Sequence, residues 1–141
     1  MLHFDEAAGA RNLLGRLAPH IASADNWSED LDFWIGAALS FEGLKALGVP
    51  DAQLKTFPLP FQQGMAARAE QLRDFGPNAP ENWEDVFKPG NCHLALTIYA
   101  VDDDALDKAL ATARTELDRS SGVTLLLSLI HISEPTRLRR I

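Results

Sequence analysis

The chain has 141 residues, 46% hydrophobic and 23% charged, which is the size and composition of one soluble globular domain. Its formal net charge of −7 argues against nucleic acid or an anionic membrane surface as a partner, because both require a basic patch. Its single cysteine, Cys92, excludes an internal disulfide and fits a reducing compartment.

The first part of the chain predicts a strand, a helix and a second strand. Residues 2–4 form a short strand, and Asp5 caps a helix over about residues 6–18 that Pro19 ends or kinks. Apolar and polar residues alternate over 31–39, which predicts a half-buried strand. The apolar stripe of the helix is Ala10, Leu13, Leu14, Leu17 and Ile21, and the apolar face of the strand is Leu31, Phe33, Ile35, Ala37 and Leu39.

The middle of the chain predicts little regular structure. Ser40 caps a short helix over 41–47 that Gly48 closes. Residues 49–91 contain six of the eight prolines, so we expect mostly loop with one short helix. The apolar face of that helix is Phe61, Met65, Ala69 and Leu72.

The last part repeats the strand–helix–strand pattern. A strand alternates through Leu94, Leu96 and Ile98, and residues 102–104 supply negative charge at a helix start. Residues 120–122 form a turn, and a final strand covers 123–127. The apolar stripe of the helix is Leu106, Leu110, Ala113 and Leu117.

The predicted order is β-α-β, an insertion, then β-α-β. This order predicts an α+β, ferredoxin-like (split βαβ) fold: an antiparallel sheet with two helices on one face. We therefore expect one domain over 1–127.

Residues 57–83 contain more residues of defined type at fixed spacing than helical periodicity requires. Residues 57–83 follow the pattern F-P-x-x-F-x-x-G-M-x-x-R-A-x-x-L-x-D-x-G-x-x-x-P-x-x-W, which includes Arg68, Asp74 and Trp83. This string resembles the N-terminal half of the dye-decolourising (DyP-type) haem peroxidases. Residues 40–50 resemble the family's T-x-x-G-L-x-x-L-G-V element, with Ser40 in place of Thr, and residues 93–100 resemble its next strand.

The resemblance implies a peroxidase parent and a fragment without its active site. Parents of this bacterial type use haem b and hydrogen peroxide to oxidise organic substrates. Their G-x-x-D-G loop with the catalytic Asp, their distal Arg and their proximal His all come after the matched region. We therefore assign no catalytic, cofactor-binding or metal residue here, and expect this fragment to bind no cofactor. The implied partners are the missing C-terminal haem domain and a possible homo-oligomer.

Four histidines are candidate ligands. His93 opens a strand, where a surface or pairing role is the usual one and iron or metal binding the alternative. His3 and His20 have no second ligand at i+3 or i+4, which argues against zinc, and His131 lies in the C-terminal segment.

Charged and aromatic candidates also have a structural and a functional interpretation. Arg68 can stabilise charge on peroxide, but a structural ion pair with Glu70, Asp74 or Asp85, or a carbonyl cap, is favoured. The acidic cluster of Glu81, Glu84 and Asp85 can do acid–base chemistry, but its position at a helix start favours complementation of the dipole. The tryptophans can transfer electrons, but core packing is favoured for Trp27, Trp34 and Trp83. Cys92 is predicted to be a buried structural thiol.

The C-terminal segment differs from the rest. Residues 128–141 carry Arg137, Arg139, Arg140 and Glu134, so they net +2 and residues 1–127 net −9. Their sequence resembles translated adapter peptides at the ends of metagenomic contigs, and we predict a non-native tail.

Two alternatives to the peroxidase fragment remain. One is a stand-alone ferredoxin-like interaction or oligomerisation module. The other is a small dimeric α+β-barrel oxygenase, which the long insertion disfavours. No apolar run of about 18 residues and no signal peptide is visible, so we expect no membrane partner and a cytoplasmic location.

Overall fold

A computed structural model describes residues 1–23 and 31–129. The strands are β1 (Leu2–Phe4), β2 (Phe33–Leu39), β3 (Leu94–Ala100) and β4 (Val123–Leu125). The α-helices are α1 (Ala7–Leu17), α2 (Phe41–Ala46), α3 (Asp51–Leu54), α4 (Leu59–Gln63), α5 (Ala69–Leu72) and α6 (Asp103–Asp118). Single 3₁₀ turns cover Ala18–His20, Ala66–Arg68, Gly76–Asn78, Pro80–Asn82 and Asp85–Phe87.

The strands form an antiparallel sheet in the order β2-β3-β1-β4. With α1 between β1 and β2 and α6 between β3 and β4, this is the predicted ferredoxin-like arrangement. Leu2 pairs with both Leu94 and Leu125, so β1 is central although it is only three residues long. The chain therefore places its N-terminus in the middle of the sheet.

The core lies between α1, the central strands and the end of α2. Its buried members are Leu2, Phe4, Ala10, Leu13, Leu17, Leu47 and Leu94. The predicted stripe of α1 is confirmed, with Leu14 and Ile21 partly buried against this cluster. No helix in the described ranges is long and apolar enough to cross a membrane.

The predicted cap of α1 is wrong. The helix begins after Glu6, and neither Asp5 nor Glu6 caps it with a side chain. The Asp5 carboxylate instead accepts a hydrogen bond from the Thr124 hydroxyl at 2.8 Å. The amides of Asp5 and Glu6 both donate to the Gly122 carbonyl, which fixes the chain against β4. Contacts across the sheet thus replace the local cap.

The predicted apolar faces of β2 and α6 are only partly buried. Ile35 is fully buried, but Leu31, which precedes β2, and Ala37, on this edge strand, are exposed. On α6 the buried residues are Ala105 and Ala109, whose small side chains permit close approach to the sheet. The predicted stripe is half-buried and lines a cleft of about 250 Å³; it comprises Leu106, Leu110, Ala113 and Leu117.

The helix starts predicted at Ser40 and at residues 102–104 are confirmed. The Ser40 hydroxyl accepts the Gly43 amide at 3.0 Å, and Gly48 follows α2 with a φ of 74°. The Asp102 carboxylate accepts the Ala105 amide at 2.8 Å, with Asp103 and Asp104 in the first turn.

The insertion is more helical than predicted. The expected single helix is interrupted at Gly64, whose φ of 70° ends α4. Phe61, Met65 and Leu72 therefore do not form one buried stripe, and they are 36%, 62% and 40% exposed. The prolines start short turns instead of preventing them, because their fixed φ suits the first helical position.

Candidate functional site

A wide groove lies between α2 and the insertion and encloses about 1210 Å³. Ser40 and Cys92 lie where the groove meets the ends of β2 and β3. The apolar lining includes Phe41, Phe61, Met65, Trp83 and Phe87, and the charged lining includes Glu42, Arg68, Asp74, Glu84 and Lys88.

Aromatic contacts build one wall of this groove. Phe61 packs edge-on against Phe41, with ring centroids 5.9 Å apart, and lies 5.3 Å from Phe57. The indole of Trp83 donates from Nε1 to the Asn78 carbonyl at 2.9 Å. Trp83 is therefore fixed within the insertion, and it is half-buried there rather than part of the main core.

Arg68 and Asp74 both line the groove, but they form no ion pair. Arg68 donates from Nε to the Gln71 side chain at 3.2 Å, and no acid lies within 4.0 Å of it among the described residues. The predicted ion pair and carbonyl cap of Arg68 are therefore wrong. Asp74 has a buried Oδ2 atom without a hydrogen-bond donor in the described part of the chain.

The acidic cluster does not act as a unit. Glu81 and Asp85 lie in the first turns of two different 3₁₀ helices. The Asp85 carboxylate binds the Lys88 ammonium at 2.7 Å, and this contact lowers the pKa of Asp85. Asp85 is fully exposed in solvent, and Glu84 alone of the three lines the groove.

His93 is buried, not a surface residue, and its pairing role is confirmed. Its Nδ1 accepts the Phe4 amide at 2.9 Å, and its ring stacks on His3 with centroids 4.2 Å apart. His3 Nδ1 in turn donates to the Asn91 carbonyl at 2.8 Å. Burial lowers the pKa of His93, and the nearby His3 lowers it further. The sequence did not reveal this pair, because 89 residues separate the bonded Phe4 and His93.

The remaining candidates are dispersed. Trp34 is half-buried and stacks on its cross-strand neighbour Tyr99 at 5.5 Å. Trp34 lies on the face opposite Ile35, so it is outside the core. Cys92 is half-buried rather than buried, with Sγ 3.8 Å from the Leu94 carbonyl. His20 ends an exposed 3₁₀ turn, and Trp27 and His131 lie outside the described residues.

No three His, Cys, Asp or Glu side chains come together to hold a metal within residues 1–23 and 31–129. The groove offers apolar walls and separated charges rather than a constellation of acid, base and nucleophile.

Comparison with known proteins gives a consistent result. The sequence pattern described as the DyP dimeric alpha+beta barrel domain matches residues 10–128. No curated protein matches the chain in sequence.

Several solved structures share the fold. A decolorizing peroxidase from Auricularia auricula-judae is 22% identical, with a TM-score of 0.66 over 89% of this chain and 27% of its own. DyP2 from Amycolatopsis sp. ATCC 39116 is 23% identical, with a TM-score of 0.70 over 88% of this chain and 27% of its own. An ancestral D-type dye decolorizing peroxidase is 24% identical, with a TM-score of 0.67 over 82% and 26%. The chain thus spans about a quarter of the length of these structures.

Proposed function

This chain belongs to the DyP family through the dimeric α+β barrel domain that residues 10–128 match, and from that premise we propose that it is the N-terminal part of a haem-dependent peroxidase. The complete protein would use haem b and hydrogen peroxide to oxidise organic substrates. The observation that carries the proposal is the family match over most of the chain, joined to a fold that covers about a quarter of solved DyP structures.

We place the haem site outside this chain, and the histidines support that placement. Haem iron in peroxidases requires an axial ligand such as a histidine nitrogen. His93 is buried with Nδ1 bound to Phe4, and His3 is stacked on His93 with Nδ1 bound to Asn91. His20 lies on a separate exposed turn, away from the groove lining. These residues do not fit a haem site, so the fragment is proposed to be inactive by itself.

A second domain is the proposed partner of the outer sheet face. That face carries the Trp34–Tyr99 stack, and Tyr99 is 54% exposed beside Val101 at 66%. A sheet face with exposed aromatic residues gains free energy when another layer covers it. The family's barrel description fits a second sheet in that place. In the fragment the same face supports homo-oligomerisation, which is also how a stand-alone interaction module would act.

The reading frame and the haem content together test the proposal. The DNA around residues 1–127 should encode further DyP sequence once the segment for 128–141 is removed. The complete gene product should then bind haem stoichiometrically and oxidise a dye with peroxide, while the 141-residue chain should show no specific Soret band. A complete product without haem, or a Soret band of the fragment that disappears with His93→Ala, would refute it.

A further inference from the structure

We propose that the groove beside α2 docks a polypeptide segment with a cationic side chain flanked by apolar residues, and that Asp74 is its anchor. The segment belongs to the remainder of the full-length protein, so this inference rests on the proposed function. Among the described residues the Asp74 carboxylate has no ion pair and its Oδ2 atom has no hydrogen-bond donor, which leaves it open to a partner.

The backbone holds Asp74 in a fixed place at the end of α5. Arg73 adopts the left-handed conformation with a φ of 61°, and the Asp74 amide donates to the Ala69 carbonyl at 2.9 Å. This is the usual way to terminate a helix, and it orders the residue that follows. The backbone position of Asp74 is thus set before any partner binds.

The carboxylate of Asp74 has an oxygen atom that no described residue supplies with a hydrogen bond. Its Oδ2 atom is buried and receives no hydrogen bond from residues 1–23 or 31–129. A buried polar atom without a partner destabilises a protein, and a charged one does so most. A donor from outside would remove that cost, and a guanidinium or ammonium group is the strongest donor to a carboxylate.

The rest of the groove favours a polypeptide over a metal or a small molecule. The absence of three clustered ligands among the described residues argues against a metal. Phe61, Met65 and Phe87 are 36%, 62% and 45% exposed along the groove, and such contiguous apolar surface marks a protein interface. The volume of about 1210 Å³ exceeds that of a typical small-molecule pocket.

The identity of the occupant follows from length and charge. The chain spans about 27% of the solved DyP structures it resembles, so most of such a polypeptide is available to cover the groove. The groove lining has three acidic side chains against two basic ones, and the chain as a whole has a net charge of −7. Both favour a cationic partner segment over an acidic one, and over a second copy of this acidic chain.

Isotope-labelled chain titrated with the peptide acetyl-Leu-Arg-Leu-amide tests the inference by NMR. We expect the amides of Gly64, Met65 and Gly90 to shift, and the Kd to rise at least tenfold in Asp74→Asn. The exposed Asp107 of α6 provides the control, because Asp107→Asn makes the same charge change away from the groove and should leave the Kd unchanged. A peptide with citrulline in place of arginine keeps part of the N–H donor set but not the charge, and it should bind at least tenfold more weakly.

Several outcomes would overturn the inference. They are absent binding at 20 mM peptide, equal binding by the citrulline peptide, or shifts confined to the sheet face around Tyr99. The melting temperature of Asp74→Asn must equal or exceed that of the unchanged chain; a clear decrease would make Asp74 a structural residue. These measurements use the chain alone. A negative result would therefore refute the docking groove without refuting the proposed haem-dependent function, which the complete gene product tests.

Discussion

The imidazole Nδ1 of His93 accepts a hydrogen bond from the backbone amide of Phe4 at 2.9 Å. Here a side-chain nitrogen, and not a backbone carbonyl, is the acceptor for an amide of β1. The acceptor must be the neutral imidazole, because a protonated ring would present a second N–H to the amide. Burial and the stacked His3 both lower the pKa of His93 from its ordinary 6.5, while Gly90, Glu42 and Asp5 act in the opposite direction.

The first prediction is a loss of stability in acid that depends on His93. Because the pKa is lower in the folded state, the unfolded chain takes up the proton first as the pH falls. The contribution of His93 should be complete above about pH 6.5 and be lost as the pH falls through the folded pKa. Denaturant midpoints from pH 8 to 5 should fall further for the unchanged chain than for His93→Asn. His20→Asn is the control, and a parallel pH profile for His93→Asn would contradict the prediction.

The second prediction concerns Arg11, which fixes the end of α2. Its Nε and Nη2 donate to the Leu47 carbonyl at 2.9 and 2.6 Å. Arg11→Ala should lower the free energy of unfolding by about 1 kcal/mol, because a partly exposed charged hydrogen bond is lost. Gly48→Ala should lower it by about 1–3 kcal/mol, since Gly48 has a φ of 74°. An added Cβ would also lie 2.7 Å from Arg11 Nη2, so the double variant should lose less than the sum. Strict additivity in denaturant unfolding would show that the Arg11 contact is absent.

The third prediction concerns the ion pair between the two main helices. Arg16 Nε binds Glu116 Oε2 at 2.7 Å, and its Nη2 also donates to the Glu116 carbonyl and the Ser120 hydroxyl. Arg16→Ala should lower the free energy of unfolding by about 1–2 kcal/mol, more than an exposed pair, because Glu116 is only 13% exposed. Arg119 contacts the same carboxylate at 3.4 Å but is 65% exposed, so Arg119→Ala should cost less than about 0.5 kcal/mol. Equal losses for the two arginines in urea unfolding would contradict this distinction.

The fourth prediction compares two glycines on α1. A Cβ at Gly9 would overlap the Ser121 carbonyl, whereas a Cβ at Gly15 would meet nothing within 4 Å. Gly9→Ala should lower the free energy of unfolding by about 3 kcal/mol or more, because backbone must move apart. Gly15→Ala should raise it by about 0.5–1 kcal/mol through helix propensity alone. Thermal unfolding of both variants measures the contrast, and a stable Gly9→Ala would refute the close approach of α1 to the turn before β4.

The sequence predicted what local patterns determine. The order of the elements along the chain, α1, the Ser40 cap and the acidic start of α6 follow from periodicity, short-range hydrogen bonds and charge. The family resemblance came from the string around Arg68 and Asp74, and the match over residues 10–128 confirms it.

The sequence did not predict contacts that join distant segments. The Asp5 carboxylate was expected to cap α1, but it accepts a hydrogen bond from the Thr124 hydroxyl, 119 residues along the chain. His3 and His93 meet only because β1 and β3 pair across the sheet. Arg68 lies near Glu70 and Asp74 in the sequence but binds Gln71, in an insertion that Gly64 and the left-handed Arg73 divide into separate short helices. Tertiary geometry decides each of these cases, and local spacing carries no information about it.

The last prediction concerns the C-terminal segment, which we expect to reduce solubility. The Leu126 amide donates to the Met1 carbonyl at 2.9 Å and the Met1 amino group donates to the Leu127 carbonyl at 2.7 Å, so pairing with β1 extends to residue 127. Leu129 is 78% exposed, and residues 125–132 form an uncharged run without proline, the composition that favours non-native strand pairing. Deletion of residues 129–141 keeps the contacts of Met1 and should raise soluble yield without lowering the denaturant midpoint. Sedimentation and urea unfolding of both chains measure these two effects. Leu129→Ser in the full chain is a milder variant, and it should give part of the increase in soluble yield. A clearly lower midpoint after deletion would mean that the segment packs on the domain and is native to it.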